Sequence, residues 1–314
     1  MAVRIEAVTD LGLKRAQNED SHGVWAPEDE ALRARRGVLL VVADGMGGSR
    51  AGEVASRLAV ETVLGVFRSA EEDDPAAVLR RAVAEANRVV YRESLAHPER
   101  QGMGTTCTAV AVRGAEAWFA HVGDSRAYLL RRRQAEQVTH DHSLVAQLVR
   151  DNQLTREEAR SDPRRNVVTR SVGVGPEVEI DVEPFPQRLE PGDTLLVCSD
   201  GLHGVVTDEE ILERASGDDL ASCGRSLIEL ARERGGPDNI TVVLARVEEP
   251  KRRARPAASA ARARSTQTTL MLLILALVGL LLVLATIGWL ALHATNASRS
   301  RNAAAPVSEA REIP

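Results

Sequence analysis

The chain of 314 residues carries only three cysteines, Cys107, Cys198 and Cys223, an odd number with no C-x-x-C spacing. That excludes a disulfide framework. Cys107 and Cys198 lie inside apolar runs, where a thiol packs as a small hydrophobe rather than acting as a nucleophile, and a reducing, cytosolic setting fits. Positive charge is not in excess: a formal net charge of -5 removes any whole-molecule case for nucleic acid. The first residues, MAVRIEAVTDLG, lack the apolar h-region of a signal peptide, and no G-x-S-x-G elbow occurs. What is present is 44% hydrophobic residues, enough for a substantial core, in a length suited to one or two domains.

The most informative stretch is Val38 to Gly48, VLLVVADGMGG, an aliphatic run that stops at an acidic residue followed by glycines. An unbroken short apolar run bounded by Gly reads as a fully buried strand, with Asp44 at its exposed end. TLLVCSDG, Thr194 to Gly201, repeats the arrangement and delivers Asp200 in the same way. In GGPDNITVVLARV, Asp238 and Asn239 come just before an apolar β-branched run, at a strand's start. Strand ends and starts share an edge when neighbouring strands run antiparallel. Carboxylates gathered there repel by about 4 kcal/mol per pair at 4 Å with an effective dielectric near 20, a cost that a divalent cation removes. Each of these acids alone is as readily an ordinary turn former; the three together favour convergence.

Upstream, TDLGLKRAQNEDS holds Arg15 a few residues before Asn18, Glu19, Asp20 and Ser21. A guanidinium matches two phosphate oxygens with its planar fork, although a solvated charged turn has the same composition. TDLGLKRAQNEDS, VVADGMGG, GMGTTCTAV, HVGDSRAYLL, THDHSLV, NVVTRSVG, LLVCSDGLHG and GPDNITVVL occur in this order across roughly residues 5 to 247. In sequence and order they resemble the bacterial branch of the metal-dependent protein serine/threonine phosphatases of type 2C.

That resemblance implies specific roles. Asp44 corresponds to the carboxylate bridging two metal ions, with the Gly45 carbonyl on one of them, and Asp200 and Asp238 correspond to ligands of the other. Asp20, with Glu19 beside it, resembles the acidic pair that binds metal-held waters, and Asn239 supports Asp238. Asp124 in HVGDSR corresponds to the carboxylate that forms a third, weaker site with Asp200. Arg15 corresponds to the arginine that holds the substrate phosphate, and Asp44 and Arg15 are the catalytic pair. An all-oxygen donor set selects Mn²⁺ or Mg²⁺ over zinc, as two ions with a possible third. Two such ions lower the pKa of a bridging water and offset phosphoryl charge during in-line attack, so no covalent phosphoenzyme is required. Eukaryotic members commonly place a His where this chain has Met46. The general acid is therefore open: water at the metal site, His22, His140 or His142 are candidates, whereas His121 and His203 read as structural.

Between the motifs, Val54, Leu58, Val63, Leu64 and Phe67 keep helical spacing from Ala51 onward, and Pro75 opens a second helix carrying Val78, Leu79, Val83, Val89 and Val90. Thr106 to Leu130, alternating and broken at Gly114 and Gly123, reads as a run of hairpin strands. Leu144, Val145, Leu148 and Val149 predict a short helix capped by Asp141. The family places a mobile flap here, about residues 142 to 166, in which Arg160, Arg164 and Arg165 either meet the acidic flank of a phosphoprotein or form a plain solvated face. Asp208 and the segment Leu220 to Arg232 predict a further outer helix. The implied fold class is α+β, a four-layer α-β-β-α sandwich of two antiparallel sheets with helices on both outer faces.

Beyond the catalytic domain, residues 1 to 247, the composition changes. Residues 248 to 268, including PKRRARPAASAARARS, read as a basic flexible linker. Residues 269 to 292 follow, with about 23 uncharged residues from Leu270 to Leu292 spanning about 34 Å as a helix, enough to cross a ~30 Å hydrocarbon layer. Trp289 suits an interfacial anchor. Lys251, Arg252, Arg253, Arg255, Arg262 and Arg264 precede the span, against Arg299, Arg301 and Arg311 after it. This asymmetry predicts a single-pass cell-membrane protein with a cytoplasmic catalytic domain and a short extracytoplasmic tail, residues 293 to 314. The expectation is a membrane-anchored phosphatase acting on phosphoserine and phosphothreonine of proteins, opposing a transmembrane serine/threonine kinase and its substrates. Alternatives are a catalytically silent phosphoprotein-binding scaffold at the membrane and a specialised phosphatase acting on an anti-sigma-factor antagonist.

Overall fold

Alternate residues of the strand Val38–Met46 enter two different cores, which is why its sequence shows no polar alternation. Leu39, Val41 and Ala43 pack into one apolar cluster, while Val38, Leu40 and Val42 pack into another. A strand buried on both faces must lie inside a stack of layers. The computed structural model describes residues 2–47, 51–183, 185–248 and 270–291. The chain divides into two units, Met1–Pro250 and Lys251–Pro314. The first half of the first unit contains β1 (Val3–Asp10), β2 (Asp20–Trp25), α1 (Glu30–Arg36), β3 (Val38–Met46), α2 (Ala51–Ser69), α3 (Pro75–Ala96), β4 (Gly104–Thr105), β5 (Cys107–Arg113) and β6 (Glu116–Val122). There follow β7 (Arg126–Arg131), β8 (Gln134–Gln137), α4 (Leu144–Arg150), α5 (Arg156–Ser161), β9 (Asp181–Val182), β10 (Gln187–Arg188), β11 (Thr194–Cys198), α6 (Asp200–His203), α7 (Asp208–Ala215), α8 (Leu220–Glu233) and β12 (Ile240–Val247).

Two antiparallel sheets result. One has the order β1-β12-β11-β7-β8; the other has the order β10-β6-β5-β3-β2, with β4 on β3 and β9 on β6. Leu40, Val110, Phe119, Leu129, Leu195, Val197 and Val243 fill the space between the sheets. Helices α2 and α3 cover the outer face of the β3 sheet through Ala55, Val63, Phe67, Leu79 and Val83. The outer face of the β11 sheet is covered through Leu202, Ile211, Leu227 and Ile228. This is the expected four-layer sandwich.

Local chemistry sets the helix starts. Asp74 caps α3 by accepting from the Ala76 N–H, with Pro75 in the first turn, where a missing N–H costs nothing. Thr207 and Glu210 form a reciprocal capping box on α7. Three expectations need correction. The cap of α4 is Ser143, whose Oγ accepts from the Ala146 N–H at 3.3 Å; Asp141 is instead bound by Arg126 at 2.7 Å. Two outer helices, α7 and α8, stand where one was expected. Thr106 to Leu130 is also not a simple run of hairpins: β5 and β6 pair, but β6 and β7 lie in different sheets. The chain crosses at Gly123, whose φ of +112° and whose absent Cβ, 2.6 Å from Thr106 Cβ, require glycine.

The second unit contains α9 (Leu270–Ala291), a helix of 22 residues with mean hydropathy 3.1. The expected linker, apart from Glu248, and the expected tail lie outside the described residues.

Because Leu40 is fully buried between the sheets, Leu40→Ala is expected to lower stability by about 2–5 kcal/mol. A urea titration followed by circular dichroism measures this; an unchanged midpoint would contradict the layered core.

Candidate metal centre

The two sheets bring acidic side chains from five chain segments to one edge. Asp20 opens β2 and pairs in register with Asp44 at the end of β3. Asp200 follows β11 and Asp238 precedes β12, the two strands being antiparallel neighbours, so an end and a start meet as expected. Asp124 sits in the crossover between β6 and β7.

Burial and mutual repulsion dominate their electrostatics. Burial, then Asp20, Asp200, Asp124 and Asp238, hold the Asp44 carboxyl well above the carboxylate range. Asp20 is pushed up to about 7, first by burial and then by Asp200 and Asp238, against hydrogen bonds from Ser199 and Thr241. Asp124 rises to about 8 through burial, Asp200 and Asp141. Asp200 rises to about 6 through burial and Asp238, while a hydrogen bond with Asp44 and the charges of Arg15 and Arg165 pull it down.

The scaffold holds these groups in place against their repulsion. Ser199 Oγ donates to Asp20 Oδ2 at 2.7 Å and accepts from the Thr241 N–H at 3.0 Å, joining the two sheets. The Asp44 N–H donates to Thr106 Oγ1 at 2.8 Å, and Thr106 Oγ1 is 2.6 Å from Ser125 Oγ, beside Asp124. Asn239 Oδ1 accepts from the Glu19 N–H at 2.8 Å, and its amide donates to the Leu11 and Gln17 carbonyls at 2.9 and 3.0 Å. Asn239 thus pins the Arg15 loop to Asp238. Gly45 donates its N–H to the Glu19 carbonyl at 3.1 Å, and a Cβ there would lie 2.1 Å from the Gly52 carbonyl oxygen, so only glycine fits.

Arg15 donates to Asp238 Oδ2 at 2.6 Å, with its side chain about half exposed at 49%. That hydrogen bond raises its pKa. It is a charged, accessible fork at the rim of the acidic cluster. Glu19, partly buried, is also raised, first by burial.

Among the described residues, no three acidic, imidazole or thiol groups close onto one point tightly enough to enclose an ion by themselves. A small hard cation does not need them to, since it keeps several waters and takes one or two carboxylates. Asp20 Oδ1 and Asp200 Oδ1 are buried without a hydrogen-bond partner, a costly state for a carboxylate oxygen that an ion or its water relieves. The donors fit Mn²⁺ or Mg²⁺.

Of the candidate acids, His142 is excluded because both ring nitrogens are engaged: Nδ1 accepts from the Gly123 N–H at 3.1 Å, and Nε2 lies 3.0 Å from Asp181 Oδ2. His140 is exposed, and His22 has its pKa lowered by burial. Sequence reasoning missed Ser199, Thr106 and the effect of the Arg165 charge on Asp200. The first two adjoin the acidic motifs in LLVCSDG and GMGTTCTAV, but nothing in their spacing names a partner.

A family model described as protein phosphatase 2C matches residues 14–245. The serine/threonine protein phosphatase PstP of Mycobacterium tuberculosis is 42% identical over 251 residues, which cover 79% of this chain and 45% of that protein. The chain thus spans about half the length of that relative. The serine/threonine phosphatase stp of Listeria monocytogenes is 40% identical over 247 residues, 75% of this chain and 92% of that protein. The solved catalytic domain of PstP in complex with two manganese ions is 39% identical, with TM-score 0.67, covering 79% of this chain and 99% of that one.

A carboxyl with a raised folded-state pKa contributes stability that is full below about 4 and is lost as pH rises through the folded value. With Asp200, Asp20 and Asp124 at about 6, 7 and 8, the melting temperature in EDTA is expected to fall as pH rises across that window. Saturating Mn²⁺ flattens the slope. A flat profile in EDTA would contradict the clustering.

Proposed function

Because the chain belongs to the protein phosphatase 2C family, whose members depend on Mn²⁺ or Mg²⁺, we propose that it is a membrane-anchored phosphatase that hydrolyses phosphoserine and phosphothreonine in proteins. The observation that carries this reading is the buried group of aspartates with unpartnered oxygens, rimmed by a half-exposed arginine. In it, Asp44 and the Gly45 carbonyl would hold one ion, and Asp44, Asp200 and Asp238 would hold the second. Asp20 and Glu19 would order water around them, and Asp124 with Asp200 would form a third position. Bound Mn²⁺ or Mg²⁺ supplies Lewis acidity, offsetting phosphoryl charge and acidifying water.

Arg15 binds the phosphate by its fork and orients the phosphorus towards the acidic edge. Water, rather than a side chain, is the nucleophile. Burial pushes the Cys107 thiol up to about 12 and the Cys198 thiol higher still, and Cys223 is buried. Met46 carries no proton to give, so the leaving alkoxide takes its proton from solvent at the site.

The domain limits follow the composition: a catalytic domain over 1–247, a basic linker over 248–268, a span over 269–292 and a tail over 293–314. α9 is long and apolar enough to cross a bilayer. The Lys and Arg residues before it outnumber those after it, which favours a cytoplasmic catalytic domain. A phosphatase held at the membrane is placed to oppose a transmembrane serine/threonine kinase and the substrates it phosphorylates there.

With p-nitrophenyl phosphate, turnover is expected only with Mn²⁺ or Mg²⁺, and Asp44→Asn is expected to lose about 10²-fold or more, the scale of removing one electrostatic stabiliser, while keeping its fold by circular dichroism. Metal-independent turnover or an active variant would overturn the mechanism. A chain ended after Glu249 is expected to be soluble and active, whereas the full chain sediments with membranes; membrane association of the shortened chain would refute the anchor.

A further inference from the structure

The loop that carries Asp124 is held on every side, and one of its holders comes from the helix that carries Asp200. Gly123 donates its N–H to His142 Nδ1 at 3.1 Å, and its carbonyl accepts from the His142 N–H at 2.7 Å. On the other side of Asp124, Ser125 is fully buried and bonds Thr106 at 2.6 Å. The Asp124 carbonyl itself lies 2.9 Å from His203 Nε2. A carbonyl only accepts, so Nε2 carries the hydrogen. His203 stands three residues after Asp200 in α6, a spacing that puts both side chains on one face. The helix is closely packed: Leu202 is fully buried, and a Cβ on Gly201 would lie 1.9 Å from the Asn239 carbonyl oxygen. One short, fixed element therefore presents a carboxylate and, one turn on, an imidazole that grips the backbone of a second carboxylate.

We propose that His203 is a positioning residue that fixes, through the Asp124 carbonyl, the loop aiming the Asp124 carboxylate at Asp200, and so sets how tightly a divalent cation is held between the two. This rests on the reading of Asp124 and Asp200 as ligands. Asp124 is buried, its carbonyl is bound by His203, and Asp200 opens the same short helix, so one element bears on both acidic residues. The His203 hydrogen bond holds the loop at Asp124's own peptide, so the side chain's position is set by the protein before a cation arrives. The outer partners of metal ligands act in this way, orienting the inner donors. His203 therefore tunes the site without touching the ion.

The test is a Mn²⁺ titration of the full-length, detergent-solubilised protein, followed by loss of the free-ion electron paramagnetic resonance signal. His203→Leu and His203→Asn, which cannot place an N–H at the Nε2 position, are expected to weaken the weakest binding step by about ten- to a hundredfold, the range for outer-shell partners. His203→Gln, which can, is expected to restore it, and the tighter steps stay unchanged in all three. If the Leu variant does not fold, the Gln and Asn pair decides by the same criterion. Asp124→Asn is titrated in parallel. If it removes the weakest step while His203→Leu and His203→Asn bind like the parent, the role of His203 is overturned and the ligand assignment stands. If Asp124→Asn also binds like the parent, both fall.

Discussion

Repulsion among buried carboxylates is the constraint on which the rest of the structure depends. Asp20, Asp44, Asp124 and Asp200 all have pKa values raised first by burial and then by neighbouring carboxylates. No apolar core gains anything by collecting them. A metal-free protein tolerates such a cluster only by keeping protons on it, and at neutral pH it does so at a cost to stability. The arrangement makes physical sense as a receptor for positive charge, which converts the same proximity from a penalty into affinity.

The architecture follows from having to hold that cluster still. Strands β3, β11 and β12, buried along nearly their whole length, hold Asp44, Asp200 and Asp238 at or just beyond their ends, and the hydroxyls of Ser199 and Thr106 link segments of the two sheets. Asn239 ties the arginine loop to Asp238. Glycine stands at positions 45 and 201, where backbone passes backbone too closely for a Cβ.

The strand ends at Asp44 and Asp200 and the strand start at Asp238 were legible because an aliphatic run halted by Asp-Gly, or introduced by Asp-Asn, is a local signal. The two long helices were legible from their period and from Pro75. The crossover at Gly123 was not, because a glycine between two apolar runs looks the same whether the chain turns back or changes sheet. Nor was the cap of α4: Asp141 has the chemistry of a cap, but a distant Arg126 claims it. The Ser199 to Asp20 bond joins residues 179 positions apart, and no spacing rule reaches that far. The resemblance to the phosphatase family named the acids, and the fold supplied what holds them.

The central claim is that these aspartates together form a seat for divalent cations. Anomalous diffraction from crystals soaked in Mn²⁺ tests it most directly. The account predicts peaks enclosed by Asp44 and Gly45 on one side and by Asp44, Asp200 and Asp238 on the other. Peaks elsewhere on the surface, with no density at that edge of the sandwich, would contradict it.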